Sequence, residues 1–383
     1  MTIERKQFAV SRRSMDSALA DLPLPREFKP GDTSFDAFIG AAGFEERVLG
    51  IPRALVSAKV QVHGPILLGH YQTNDADNAN RGRELLPLLR QLGPEPVYFE
   101  ADSPEDTLRT IKAALATVAP ERELRVLIDI SGASSTLIFA VMATLASLPR
   151  QVSLTIGYAA AVNYHDPGAD TRAQPVGEWG QTVLRERGVR EVDTNELYRG
   201  IHHDHLPGFV IALPSMYCAR LQRCLSHLGV GPLSGATESV FWVLPKTDDE
   251  AHQWRQQAVK QALSGLIHGD NSAVDQDLPH GQYVHCDVWD YLQAARIVLE
   301  QVDRQEGANM SVIHMGTKIQ AIGVALALLG RPEVSLVSAR PESFAATNYS
   351  DGIGMLQQIT IPNLQASIRR IAEVGMLDVT PKA

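Results

Sequence analysis

The sequence predicts an α/β fold made of two tandem halves, each a parallel sheet covered by helices, joined by a connector containing small elements. Three observations predict it. Short β-rich runs alternate with longer runs of helical periodicity. A stretch rich in turn formers, NYHDPGADTRAQPVGEWG, interrupts that alternation near the middle of the chain. The same order of elements then begins again with matching spacing.

In the first half, residues 36–40 read as a strand followed by a helix over 45–60. Residues 65–69 and 95–100 are apolar strands, separated by helical spacing of apolar residues over 81–92. Pro104 opens a helix to residue 118, with Ser103 as its N-cap. A buried strand at 125–129, a helix at 134–148 and a strand at 152–156 complete the half, which is assigned to residues 1–162. Residues 163–207 form the connector, ending in the cluster Ile201-His-His-Asp-His205. Residues 208–383 repeat the theme, with strands at 208–212, 239–244, 283–287, 310–314 and 334–337. Helices over 216–228, 250–266, 289–305 and 318–329 lie between them. Val152-Ser-Leu echoes Val334-Ser-Leu, and each follows a small-residue helix, which suggests an internal duplication of a Rossmann-like unit.

Composition bounds the function classes. The 383 residues are 44% hydrophobic and 21% charged, enough for two packed cores and incompatible with wholesale disorder. Lys and Arg number 35 against 44 Asp and Glu, a net charge of −9. Such a chain does not coat duplex nucleic acid, because that affinity comes from neutralising phosphates with basic residues. A local basic pocket for a small anionic ligand is compatible with it. Cys218, Cys224 and Cys286 are too few for a disulfide framework or a zinc ribbon and read as buried thiols. The N-terminal residues lack the continuous apolar core of a signal peptide, and the longest apolar runs fall short of the roughly 20 residues of a membrane helix. The expected location is the cytoplasm, with no membrane partner.

In an open parallel sheet, ligands bind beyond the carboxyl ends of the strands, near the switch in strand order. Four turns have that address: Gly40-Ala-Ala-Gly43-Phe-Glu-Glu-Arg47, Leu213-Pro-Ser-Met-Tyr-Cys-Ala-Arg220, Ser131-Gly132-Ala-Ser134-Ser135 and Met315-Gly316-Thr317-Lys318. Gly316 admits close approach of the backbone, Thr317 offers a hydroxyl and Lys318 a compact positive charge at a helix start, a combination suited to phosphate. The plain alternative is a tight turn, a helix cap and a solvated lysine. Residues 131–135 form a donor-rich turn without a basic residue. Asp129 is a candidate ribose ligand, a charge partner for Lys318 or Arg47, or an N-cap. Arg47 is either a phosphate contact or part of a solvated helix face, and Arg340 sits on a Gly-rich loop with Asn348 and Tyr349. His202, His203, Asp204 and His205 are adjacent residues on a loop, a poor arrangement for one metal ion, so neither a metal nor a cofactor is expected. Cys218 with His227 lacks an orienting group, Ser131 departs from the nucleophile elbow, and no P-loop or dinucleotide fingerprint is present.

The strand running into Gly316-Thr317-Lys318 and then a small-residue helix resembles the Gly-Gly-Thr-Lys signature of the CRISPR-associated Rossmann fold (CARF) sensors. The strict match covers about twenty residues, with the alternating pattern extending it loosely over both halves, and Met315 replaces the first glycine. Domains of that family bind cyclic oligoadenylates or related signalling nucleotides across a dimer interface. The resemblance implies that Thr317 and Lys318 contact ligand phosphates and that the early turn of the fold holds the other side. With two such halves in one chain, a two-lobed pocket is expected between the turns at 131–135 and 316–318. The resulting expectation is a sensor for a small signalling nucleotide that works with a separate effector protein in antiviral defence. Two alternatives stand beside it. One is a nucleotide-processing enzyme, such as a ring nuclease or hydrolase, using Lys318, His314, Asp129 and Ser131. The other is a structural subunit of a multi-protein assembly.

Overall fold

A computed structural model describes residues 8–12, 14–31, 34–119, 123–164, 168, 186–230, 237–268, 282–344, 349–374 and 377–381. Asn348 and most of the turn-rich part of the connector lie outside them.

Two largely parallel sheets form the frame. In the first, the parallel strands lie in the spatial order Val97–Glu100, Ile66–His70, Ala37–Ala41, Leu124–Asp129, Val152–Ala159. In the second they lie in the order Tyr283–Asp287, Val240–Lys246, Gly208–Leu213, Asn309–His314, Ser335–Arg340. Counted along each half, both orders are 3-2-1-4-5, the doubly wound arrangement with its switch point between strands one and four. The switch-point strands are buried along nearly their whole length, Ala37–Ala41 and Asn309–His314 completely. Such continuous apolar runs are what a sheet covered on both faces requires.

Beside strand five, each sheet carries one antiparallel strand. Leu356–Ile361 pairs with Val152–Ala159 of the first sheet, while Glu191–Arg199 pairs with Ser335–Arg340 of the second. Leu356–Ile361 thus returns from beyond the second sheet to the first, whereas Glu191–Arg199 directly precedes Gly208–Leu213 and stays with the sheet it leads into. Short pairings tie together the two segments crossing between the sheets: Asn163–Tyr164 with Ser350–Asp351, and Glu186–Arg187 with Ser343–Phe344. Phe8–Arg12 pairs with Leu377–Pro381 in a separate two-stranded ribbon.

The helices Ser135–Ala146 and Lys318–Gly330 show almost no polar face, and nearly every residue of each is buried. A helix apolar all round must be covered all round. Each packs on its own sheet and against the other, so one hydrophobic cluster runs continuously through both halves. Within the second half, Gly323 permits the close approach of Lys318–Gly330 to the helix Tyr291–Arg304, since a Cβ there would lie 1.8 Å from the Tyr291 carbonyl oxygen. Among the described residues, no helix is long and apolar enough to cross a membrane.

Candidate functional site

The packing of the two helices places their N-terminal turns, and hence the carboxyl ends of both sheets, side by side. A cavity of about 250 Å³ opens there. The second half contributes Pro214, Ser215 and Met216 from the turn after its first strand, and Met315 to Gln320 from the turn after its fourth. The first half contributes Arg47, Tyr158 and the segment leading to Tyr164. Tyr349, on the opposite crossing segment, closes one side.

Thr317 is the N-cap of its helix within a reciprocal capping box. Its hydroxyl accepts from the Gln320 backbone N–H at 3.2 Å, and the Gln320 side chain accepts from the Thr317 N–H at 3.0 Å. The same hydroxyl donates to the Val288 carbonyl at 2.7 Å. Gly316 leaves room for that box, because a Cβ there would lie 2.5 Å from Gln320 Oε1. The capping alternative for Thr317 is therefore realised. The solvated alternative for Lys318 is not: its side chain is only 19% exposed, and Nζ donates to the Ser131 carbonyl at 2.5 Å, across the boundary between the halves.

Arg47 is 4% exposed and fixed on three sides. It donates to Glu45 Oε2 at 2.6 Å, to the Tyr158 hydroxyl at 2.9 Å and to the Tyr164 hydroxyl at 3.1 Å. Glu45 is shared: Oε2 lies 3.8 Å from Lys318 Nζ, and Oε1 accepts from the Ser350 hydroxyl at 2.6 Å. Burial opposes the charge of Glu45, but Arg47 and Lys318, with the hydrogen bonds from Arg47 and Ser350, hold its carboxyl below the ordinary value. Lys318 fares otherwise. Burial, aided by the Arg47 charge, pushes its amine down to about 7 against the pull of Glu45 and Asp129.

Asp129 and Ser131 form the support behind Lys318. Asp129 Oδ1 accepts from the Ser131 N–H at 2.9 Å and its hydroxyl at 2.5 Å, and that hydroxyl also accepts from the Ala159 N–H at 2.8 Å. Burial raises the Asp129 carboxyl to about 6, although these bonds and the charges of Lys318 and Arg47 act in the opposite direction.

Of the residues singled out in the sequence, Gly316, Thr317, Lys318, Arg47 and Tyr349 line the cavity, and Asp129 and Ser131 adjoin Lys318. Gly43, Gly132, Ser134 and Ser135 gather instead at the first sheet's own switch point. A Cβ on Gly132 would lie 2.5 Å from the Ala41 carbonyl oxygen, and a Cβ on Gly43 would meet Gly132 itself. The Ser134 N–H donates to the Tyr71 hydroxyl at 2.7 Å and its side chain caps the helix, so this turn is internally satisfied and does not line the cavity. Arg340 lies apart, donating to the Asp102 carbonyl at 3.0 Å and paired with Glu191 and Asp193. His314 is buried edge-on against Phe139, and burial pushes it down to about 4, so it is neutral at pH 7. Burial raises Cys218, Cys224 and Cys286 to about 12, which leaves no reactive thiolate among them.

Sequence reasoning passed over an aromatic wall. Trp289 sits 5.8 Å from the Tyr158 ring, Arg255 stacks 4.3 Å over the Tyr164 ring, and His252 meets Tyr164 edge-on at 5.5 Å. Glu45 was also visible in Gly43-Phe-Glu-Glu-Arg47 without being given a role. A flat-faced, cation-rimmed cavity of this kind suits a ligand that joins an aromatic ring to an anion.

No family model matches the sequence, and no curated protein does. Among solved structures, the chain is similar to a Type III CRISPR defence DNA nuclease activated by cyclic oligoadenylate, with 9% identity over 77% of this chain and a TM-score of 0.40. The chain spans 64% of that nuclease's length. It is also similar to a universal stress protein from Archaeoglobus fulgidus DSM 4304, with 10% identity, 80% of this chain and 96% of that one covered, and a TM-score of 0.21.

Proposed function

We propose that the chain is a Rossmann-like, CARF-like sensor that binds a small signalling nucleotide in the cavity between its two sheets and relays occupancy to a separate effector in antiviral defence. One observation carries the reading. A lysine from one half and an arginine from the other, Lys318 and Arg47, reach the same cavity at the carboxyl ends of both sheets. The Gly316-Thr317-Lys318 resemblance points to the same turn, and the Tyr158, Tyr164 and Trp289 rings offer stacking faces for a base. A cyclic oligonucleotide, with several phosphates and several bases, matches both halves of that chemistry.

Incubation with a panel of cyclic and linear nucleotides, followed by analysis of bound and product species, tests the reading. Retention without change is the expected result. Lys318→Ala is expected to weaken retention at least tenfold, about the worth of one charge-assisted contact. Undiminished binding by that variant would remove Lys318 from the site. A second reading, a nucleotide-processing enzyme, draws on the Lys318 amine, which stands near neutrality at the cavity wall, as an acid–base catalyst requires. Turnover by the wild-type chain would establish that reading in place of simple sensing.

A further inference from the structure

Arg47 and Lys318 rim the cavity from opposite halves, beside Arg255, and one carboxylate touches both of them. That carboxylate, Glu45, is itself buried behind the wall. It approaches Arg47 at 2.6 Å and Lys318 at 3.8 Å, and Ser350 holds its second oxygen at 2.6 Å. Asp129 contributes less counter-charge, since it is engaged with the Ser131 hydroxyl and amide. The Nε of Arg47 is buried and has no hydrogen-bond partner among the described residues, so the guanidinium is not saturated by Glu45 and the two tyrosines.

We propose that Glu45 is an internal competitor for the cavity's anion position, setting affinity and selectivity by occupying the two cations that a ligand phosphate must engage. This rests on the reading of the cavity as an anion site. A phosphate entering from the cavity side meets Arg47 and Lys318 already partly neutralised, and binding has to weaken their hold on Glu45. The cost falls on every anion alike. A phosphodiester or phosphate reaching both cations recovers it, whereas an anion that reaches one cation does not. Glu45 thereby selects for ligands that span the two halves.

The test is isothermal titration of the wild-type chain, Glu45→Gln, Glu46→Gln and Ser350→Ala with adenosine 5′-monophosphate, inorganic phosphate and the cyclic nucleotides, at fixed ionic strength. Glu45→Gln keeps the side-chain shape, and Tyr158 and Tyr164 still hold Arg47. At a pH low enough for Lys318 to stay charged without the pull of Glu45, it is expected to bind these anions roughly tenfold tighter, the order of effect of one buried charge. Glu46→Gln makes the same change in net charge one residue away and is expected to change affinity less than about twofold, as a screened surface charge does. Ser350→Ala removes the charge-assisted hydrogen bond that holds Glu45 in place and is expected to tighten binding by about two- to threefold, a fraction of the effect of removing the charge itself. This variant carries the test should Glu45→Gln fail to fold. Equal or weaker binding by Glu45→Gln overturns the proposal while leaving the anion site standing. Equal tightening by Glu45→Gln and Glu46→Gln overturns it too, by reducing the effect to net charge. If neither the wild-type chain nor any variant binds any probe, the cavity reading itself falls, and this proposal with it.

Discussion

A lysine amine confined between a carbonyl, a carboxylate and a guanidinium has a proton affinity different from that of a free lysine. In Lys318 burial dominates, and the amine falls to about 7. The sign of the consequence for binding is definite. Below pH 7 the amine is charged and attracts an anion; as pH rises through 7 it discharges, and the attraction fades. Asp129 adds to the same trend, because its carboxyl, raised to about 6, gains a negative charge beside the site as pH rises through that value. Affinity for a cyclic phosphodiester, whose own charge is constant over this range, is therefore expected to fall steadily between about pH 5.5 and 8, by about tenfold or more on the scale of one charge lost at close range. Titrations at several pH values with constant ionic strength measure it, and a flat profile would show that Lys318 keeps its charge throughout. The residue type and place of Lys318 were legible from a strand end followed by Gly-Thr-Lys. The turn that holds Ser131 was expected opposite it from the matching of the two halves, but Glu45 was not, since it lies more than 180 residues away and no local spacing encodes the contact.

The helices Ser135–Ala146 and Lys318–Gly330 bring the two turns together, and Gly323 seats the second of them against its neighbour Tyr291–Arg304. With the Tyr291 carbonyl 1.8 Å from where a Cβ would sit, Gly323→Ala forces the helix Lys318–Gly330 away from Tyr291–Arg304. The expected loss of stability is about 1–3 kcal/mol, the usual cost of overpacking a rigid core, despite alanine's better helix propensity. Chemical denaturation of the variant checks this, and unchanged or increased stability would mean that the helices separate at no cost. The elements themselves were largely readable. Every parallel strand of both sheets was expected within a few residues of its place, because apolar runs between helical periodicities are a local signal. The antiparallel strands Glu191–Arg199 and Leu356–Ile361 escaped notice. Each is half-buried and pairs with a strand far away in sequence, so neither its composition nor its neighbours announce it.

At the scale of the whole molecule, the return of Leu356–Ile361 to the first sheet changes what the halves are. That sheet is completed by a strand from beyond its own half, and one apolar cluster includes both helices that meet at the boundary. The cavity is walled by both halves, and the crossing segments supply Tyr164 and Tyr349 to it. Removing the second half would expose an edge along strand five of the first sheet, and removing either half would uncover an all-apolar helix, so neither half is expected to unfold alone. Calorimetry of the intact chain is therefore expected to show one cooperative transition, with calorimetric and van't Hoff enthalpies in agreement. A ligand bridging Arg47 and Lys318 stabilises the native state as a whole, by about 2.7 kcal/mol at a concentration one hundred times its dissociation constant, and so moves that single transition upward intact. Two resolved transitions, or a ligand shift confined to one of them, would show that the returning strand detaches before the cores melt, and that the cavity belongs to one half rather than to the pair.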